Sequence, residues 1–277
     1  MQVIDVKAHP ISPDPTAYPP ADPEGWARRP PSSWERLIEL MDEAGIQKTV
    51  LIQSTATHGF DNSYAADGAK AYPQRFIWVG SVDILAPDAV DRLVYWTQER
   101  GMSGLRITTT ARPDDTAWVV DPVTFPVWSK AWELKIPVAV LSIGEAGLLG
   151  LEEILRRFPG LTLIMDHLIS PPLFRAPRPE LVETFFALAK HPNVHVQLTG
   201  VEFASENRPI LDRYLDRAIQ AFGTERLVWG SNFPTSPGPT RELLAAATNR
   251  LSFLPEEDLN RVFFANAHAL YPALGKL

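Results

Sequence analysis

Short apolar, β-branched runs recur along the chain: VIDV from Val3, TVLIQ from Thr49, FIWVGSV from Phe76, SGLRIT from Ser103, PVAVLSI from Pro137, LTLIMD from Leu161, VHVQLT from Val194 and LVWGS from Leu227. Between them lie stretches with apolar residues at helical spacing, such as WERLIELMDEAG from Trp34, DAVDRLVYWTQERG from Asp88, LEEILRRFPG from Leu151, LVETFFALAK from Leu181 and LDRYLDRAIQAFG from Leu211, each closing near Gly or Pro. Apolar runs without strict period-two alternation read as strands buried on both faces. Strands of that kind alternating with helices imply right-handed parallel crossovers. Eight such units predict an α/β protein, a (β/α)8 TIM barrel, with a doubly wound sheet as the alternative.

One long segment breaks the rhythm. From Pro10 to Ser33 the chain carries eight prolines, a density that reads as neither helix nor central strand. As the loop after the first strand, it is expected over the carboxyl-terminal mouth of the barrel as a lid, or else as a structural arm or subunit contact. Its Trp26, Arg28 and Arg29 are placed to reach a ligand. No linker or low-complexity tract divides the chain, so residues 1–277 read as one domain.

Composition narrows the chemistry. The 277 residues are 45% hydrophobic and 21% charged, which suits a globular protein with a large core. A net charge of −7 disfavours nucleic acid and anionic lipid as partners. The absence of cysteine removes disulfides, thiolate nucleophiles and zinc-thiolate sites. No signal segment and no apolar run of about 18 residues is evident, so the expectation is a cytoplasmic protein. A homo-oligomer stays open.

Candidate site residues cluster where strands end. Lys7 and His9 share one side of the first strand at period two. Burying an ammonium costs several kcal/mol unless it is paired, so Lys7 is either bridged to a barrel carboxylate or functional. Asp166-His167 ends the sixth strand, with Asp166 expected to orient His167 or cap the loop, and the following loop adds Arg175 and Arg178. Arg106 ends the fourth strand and either ties to a barrel acid or meets a ligand. Asp83 follows the third strand, Glu202 the seventh, and Asn232 the eighth. His58, His191, His195 and His268 read as surface or packing residues, although His58 follows the second strand. Gly144-x-x-Gly147-x-x-Gly150 lacks dinucleotide-loop spacing and reads as loop and helix packing.

The order IDVKAHP, GLRIT, MDHLISPP, ERLVWGSNFP and FFANAHALY resembles the amidohydrolase-related proteins of the amidohydrolase superfamily, whose marks are Asp-x-His-x-His on strand one, Gly-Phe-Arg on strand four, Asp-His on strand six, Trp-Gly-Thr/Ser-Asp-Trp-Pro on strand eight and a late Asn-Ala. The resemblance covers essentially the whole chain. It is nearest the branch holding 2-pyrone-4,6-dicarboxylate hydrolase and sugar lactonases, because strand five, PVAVLSIGEA, has no histidine. Two departures stand out. Lys7 replaces the first histidine of the pair, and Asn232 replaces the strand-eight aspartate, which the family uses as zinc ligand and water-activating base. The resemblance therefore implies a barrel hydrolase, and the two replacements imply that it works without metal or other cofactor. Its expected substrate is a lactone or related cyclic ester of a small carboxylated molecule. In that reading Lys7, His9, His167 and Asn232 carry catalysis, while Arg106, Asp83, Arg175 and Arg178 hold substrate. The alternatives are a Lys7-dependent decarboxylase, C–C lyase or isomerase, and a catalytically degenerate barrel that binds small acids.

Overall fold

The computed structural model describes residues 1–27, 32–108, 117–141, 144–169, 179–199 and 208–276. All eight apolar runs are parallel strands: β1 (Ile4–Ala8), β2 (Lys48–Ile52), β3 (Phe76–Val79), β4 (Leu105–Thr108), β5 (Val138–Leu141), β6 (Leu163–Met165), β7 (Val194–Thr199) and β8 (Leu227–Gly230). They pair in chain order as β1-β2-β3 and β4-β5-β6-β7-β8. Two isolated parallel bridges join these sheets, Gly80 to Leu105 and Ala8 to Phe233. Backbone hydrogen bonds reinforce both seams, from Arg106 N to Gly80 O at 2.7 Å and from Asn232 N to Lys7 O at 2.8 Å. The ring of strands is thereby closed, and the fold is that of a barrel.

Paired rows show which side chains enter the barrel. Arg106 pairs with Ala139, Ala139 with Ile164, and Ile164 with His195, while Gln197 pairs with Val228. The interior apolar cluster combines Ile4, Val6, Val50, Ile52, Ile77, Val79, Ala139, Ile164 and Val228 with Ala267, Leu270, Tyr271 and Leu274 of the carboxyl-terminal segment. That segment closes the amino-terminal end of the barrel, where Lys48 at the start of β2 donates to the carbonyl of Leu274. A larger cluster fills the layer between strands and helices, with Trp78, Trp128, Trp229, Phe185 and Phe263 fully enclosed. Burial at about 25 cal/mol per Å² of apolar surface makes this layer the main source of stability.

The helices follow their amphipathic patterns. Helix α2 (Trp34–Ala44) starts at Ser33, whose side chain accepts from Arg36 N, ends at Gly45 in the left-handed conformation, and buries Leu37, Leu40 and Met41. The pattern from Asp88 forms a helix over Ala89–Val94 and then widens into a π-helical turn over Tyr95–Glu99. The pattern from Leu151 belongs to a helix that begins earlier, at Gly144 (Gly144–Arg157), so the glycine-spaced stretch is helical rather than loop. Gly150 has a packing reason to be glycine, because a Cβ there would meet Val120 Cγ2 at 2.2 Å.

The proline-rich segment corrects one expectation. A short helix, α1 (Pro23–Ala27), forms inside it, because Pro23 sits at the first helical position, where proline lacks only an N–H that would have no intrahelical partner. The segment packs along the β2 side of the mouth: Ala21 N donates to Thr57 O, Ser12 N lies 3.4 Å from His58 Nε2, and Tyr18 donates to Asp67 at 3.0 Å. Trp26 donates to Ser12 O and thus braces the segment itself. Arg28 and Arg29 lie outside the described residues.

Candidate active site

At the carboxyl-terminal ends of the strands a cavity of about 200 Å³ is lined by His9, Arg106, Leu141, His167, Asn232 and Thr235, with Ser54, Thr55 and Ala56 from the β2 loop. Two larger depressions, of about 490 and 480 Å³, lie at the opposite end of the strands, around Trp132 and Thr162 and around Phe76 and Gly101. Their linings carry Glu133 and Lys135 in the one and Lys70, Glu99 and Arg100 in the other, but no histidine. The mouth cavity is the candidate site.

Beneath the cavity lies a buried charge cluster. Lys7 Nζ donates to Asp166 Oδ2 at 2.6 Å and to Gln197 Oε1 at 3.2 Å. Arg106 Nε donates to the same Asp166 oxygen at 3.1 Å. Burial alone would push the Asp166 carboxyl up, but the two cations outweigh it and hold it at about 2. Lys7 is therefore bridged to a barrel carboxylate, does not line the cavity, and is fully enclosed. This arrangement disfavours it as an amine nucleophile, which needs a neutral amine open to substrate. Gly230 makes room for it: a Cβ at that position would lie 2.7 Å from Lys7 Cβ and 2.9 Å from Lys7 N. Asp5 completes the seam by accepting from Lys7 N at 2.9 Å and Ser231 N at 2.8 Å. Burial raises its carboxyl to about 6 despite those bonds.

The two imidazoles differ in what they offer. His9 Nδ1 lies 3.0 Å from Ile52 O, an acceptor only, so Nδ1 carries the proton and Nε2 accepts. The Asn232 amide stands 3.2 Å from that Nε2 and 3.1 Å from Ser236 Oγ. The structure places the amide oxygen toward His9 Nε2 and the NH2 toward Ser236 Oγ. With Nδ1 protonated, two acceptors would then face each other, so we assign the amide turned by 180°, its NH2 to His9 and its oxygen to the Ser236 hydroxyl, which satisfies both ends. Burial, with Arg106 and Lys7 nearby, lowers His9 to about 3. His167 Nδ1 lies 2.6 Å from Thr199 Oγ1, and its Nε2 has no partner among the described residues. Burial, then the Lys7 charge, holds His167 well below the ordinary histidine range. His167 and Asn232 both sit in the left-handed backbone region, at φ 57° and 58°. Strain at non-glycine residues of this kind gathers where a site must aim its side chains.

Several expectations need correction. Asp166 does not orient His167; Lys7 and Arg106 occupy it, and Thr199, unremarked in the sequence, holds the ring instead. Asp83 is not among the residues lining the cavity, and its carboxylate accepts from Leu85 N. Arg106 is tied to a barrel acid through Nε, and its side chain also lines the cavity. Its two terminal amino groups have no hydrogen-bond acceptor among the described residues. Arg175, Arg178 and Glu202 lie outside the described residues. Nothing in the local pattern of Gln197 marks its partner Lys7, 190 positions away, and Ser236 meets Asn232 only four positions before it.

The amidohydrolase family model matches residues 4–273. The chain belongs to the amidohydrolase family. This amidohydrolase is 31% identical over 205 residues to L-fucono-1,5-lactonase of Burkholderia ambifaria, covering 72% of this chain and 69% of that protein. Its fold is similar to that of a probable 2-pyrone-4,6-dicarboxylic acid hydrolase from Acinetobacter baumannii solved with citric acid bound, with a TM-score of 0.79 at 18% identity over 98% of this chain and all of that one. It is also similar to an amidohydrolase from Burkholderia multivorans solved with bound zinc, with a TM-score of 0.78 at 21% identity, over 98% of this chain and 99% of that one. Among the described residues the donors at the mouth do not fit a zinc ion. An ammonium and an amide stand at two of the positions the family uses, and the nearby carboxylate, Asp166, is held by two cations. Among the described residues no three His, Cys, Asp or Glu side chains converge as a metal site. Among the same residues no helix is long and apolar enough to cross a membrane.

Proposed function

We propose that the protein is a metal-independent hydrolase that opens a lactone or related cyclic ester of a small carboxylated molecule. The observation that carries this reading is the wall of the cavity, where the uncommitted amino groups of Arg106 stand with an open His167 Nε2. A guanidinium fork suits a carboxylate, and a neutral imidazole beside it can pass a proton between water and the leaving oxygen. Asn232 directs its second amide hydrogen to the substrate carbonyl, and His9 fixes that amide from behind. Lys7 acts from below, keeping Asp166 ionised and Arg106 in place. The kinship with a sugar lactonase and the carboxylated ligand in a structural neighbour support the same substrate class.

The test is turnover after exhaustive chelation on L-fucono-1,5-lactone, 2-pyrone-4,6-dicarboxylate and a panel of pyrone and sugar lactones, followed by acid release. Ring opening unchanged by chelator is expected, with Arg106→Met raising KM and His167→Gln lowering kcat. Absence of turnover on every lactone, with or without added zinc, overturns the proposal.

A further inference from the structure

We infer that Thr199 is a positioning residue that sets the tautomer of His167, taking the Nδ1 proton as an acceptor so that Nε2 turns a bare lone pair to the cavity. The inference deepens the hydrolytic reading above and rests on it for the use made of His167. Its geometry stands apart from any reaction. Two consecutive residues at the end of β6, His167 at φ 57° and Leu168 at φ 47°, adopt left-handed backbone. This bend leaves the imidazole 2.6 Å from the hydroxyl of Thr199, the last residue of β7. Both side chains are buried, so each polar atom needs a partner.

A threonine hydroxyl can give or take a hydrogen bond, so the distance alone leaves two arrangements. The surroundings separate them. If Thr199 donated to Nδ1, the ring would carry its proton on Nε2 and aim an N–H into a wall that already bears the Arg106 amino groups. Among the described residues no acceptor meets Nε2 there. Lys7 and Arg106 act on this ring against the opposing charge of Asp166, and the net positive field of the three favours the bare nitrogen, the negative end of the ring's dipole, on the side of the cavity wall that bears Arg106. Thr199 as acceptor satisfies both demands. The nitrogen that is bonded on one side decides the state of the other.

The consequence is a proton acceptor aimed at the space over Arg106. In ring opening, a water oxygen bonds to the lactone carbonyl carbon while His167 Nε2 takes one water proton. The endocyclic C–O bond then breaks, and the same proton passes to the departing oxygen, leaving a hydroxy acid and a neutral ring. No oxidant or further reactant is needed. His9 cannot substitute, because its Nε2 is covered by the Asn232 amide.

The tautomer can be read without turnover. Two-bond ¹H–¹⁵N correlation spectra of protein labelled on histidine, with His167→Gln used to assign the ring, should show His167 protonated on Nδ1 in the natural protein and in Thr199→Ser. In Thr199→Val the proton should move to Nε2. On L-fucono-1,5-lactone, Thr199→Val should lower kcat by at least about tenfold with KM little changed, and Thr199→Ser should restore it. A natural protein with His167 protonated on Nε2, or a valine variant that keeps the Nδ1 proton, overturns the inference. If Thr199→Val does not fold, the spectrum of the natural protein decides alone. Failure of the hydrolytic reading shows instead as absent turnover with the tautomers as expected.

Discussion

Lys7 Nζ and Asp166 Oδ2 lie 2.6 Å apart with side chains almost wholly excluded from solvent, and Arg106 shares the same oxygen. Two cations thus share one carboxylate. Replacing such a pair with apolar groups can be neutral, whereas removing one member strands the others in a medium that solvates them poorly. Asp166→Asn should therefore destabilise the fold by about 3–5 kcal/mol in urea unfolding. A loss below about 1 kcal/mol would show that water or another group already compensates the two cations.

Acid should destabilise the protein steadily from about pH 6 downward. His9, at about 3, and His195, lowered by burial to about 4, are held neutral in the fold, as is His167, so each contributes stability above its ordinary value that is lost as pH falls. Asp5, raised to about 6, works in the opposite direction: its contribution is present at low pH and fades as pH rises through 6. Between about pH 6 and 4 the unfolded chain binds the greater number of protons, because three histidines outweigh one carboxyl. Each net proton is worth about 1.4 kcal/mol per pH unit. Below about pH 4 Asp166, at about 2, adds to the difference because its unfolded counterpart takes a proton, while His195 and then His9 begin to take protons in the fold and offset it, so the loss should continue at a similar slope. Urea midpoints measured from pH 7 to 3 check this, and a stability curve flat down to pH 4 contradicts it.

The zinc position should be recoverable. Lys7→His together with Asn232→Asp supplies an imidazole and a carboxylate beside His9, which suits a borderline-soft divalent ion. Elemental analysis after dialysis should find close to one zinc per chain in the double variant and far less than one in the natural protein. A double variant free of zinc would mean that these positions do not converge. Near-stoichiometric metal in the natural protein, lost in His9→Ala, would overturn the metal-free reading.

Gly230→Ala tests how tightly β8 closes on β1. The added Cβ would sit 2.7 Å from Lys7 Cβ and 2.9 Å from its backbone nitrogen, and backbone cannot swing aside as a flexible side chain can. Forced separation of this kind costs about 1–3 kcal/mol, and the seam that carries Lys7 should loosen with it. Thermal unfolding should show a lowered midpoint; an unchanged one would indicate that the ring of strands has slack.

The barrel is legible from sequence because its strands must be apolar on both faces while its helices need only one apolar stripe, and the two patterns do not resemble each other. Lys7, His9, Arg106, His167 and Asn232 are legible for a related reason: polar residues at the ends of apolar runs have few places to go except the mouth. Their partners are another matter. Thr199 reaches across 32 positions to His167, and Gln197 across 190 to Lys7, through contacts that only the closed ring creates. The pairing of Asp166 with Lys7 rather than with its neighbour His167 follows from charge, once burial places ammonium and carboxylate together. The left-handed bends at His167 and Asn232 leave no mark, since neither residue type demands them. Proline count misleads at Pro23, where position in the helix matters more than number.

The carboxyl-terminal segment that packs Leu270, Tyr271 and Leu274 into the barrel works as a stopper. With that end filled, the Lys7–Asp166 pair lies between the stopper and the cavity above it. A ligand seated against Arg106 and His167, as proposed above, would cork the other end and cut the charges below off from the bulk solvent that otherwise softens their fields. In the hydrolysis proposed above, binding would turn a vessel open at one end into a sealed one and leave the reaction only the water enclosed with the substrate.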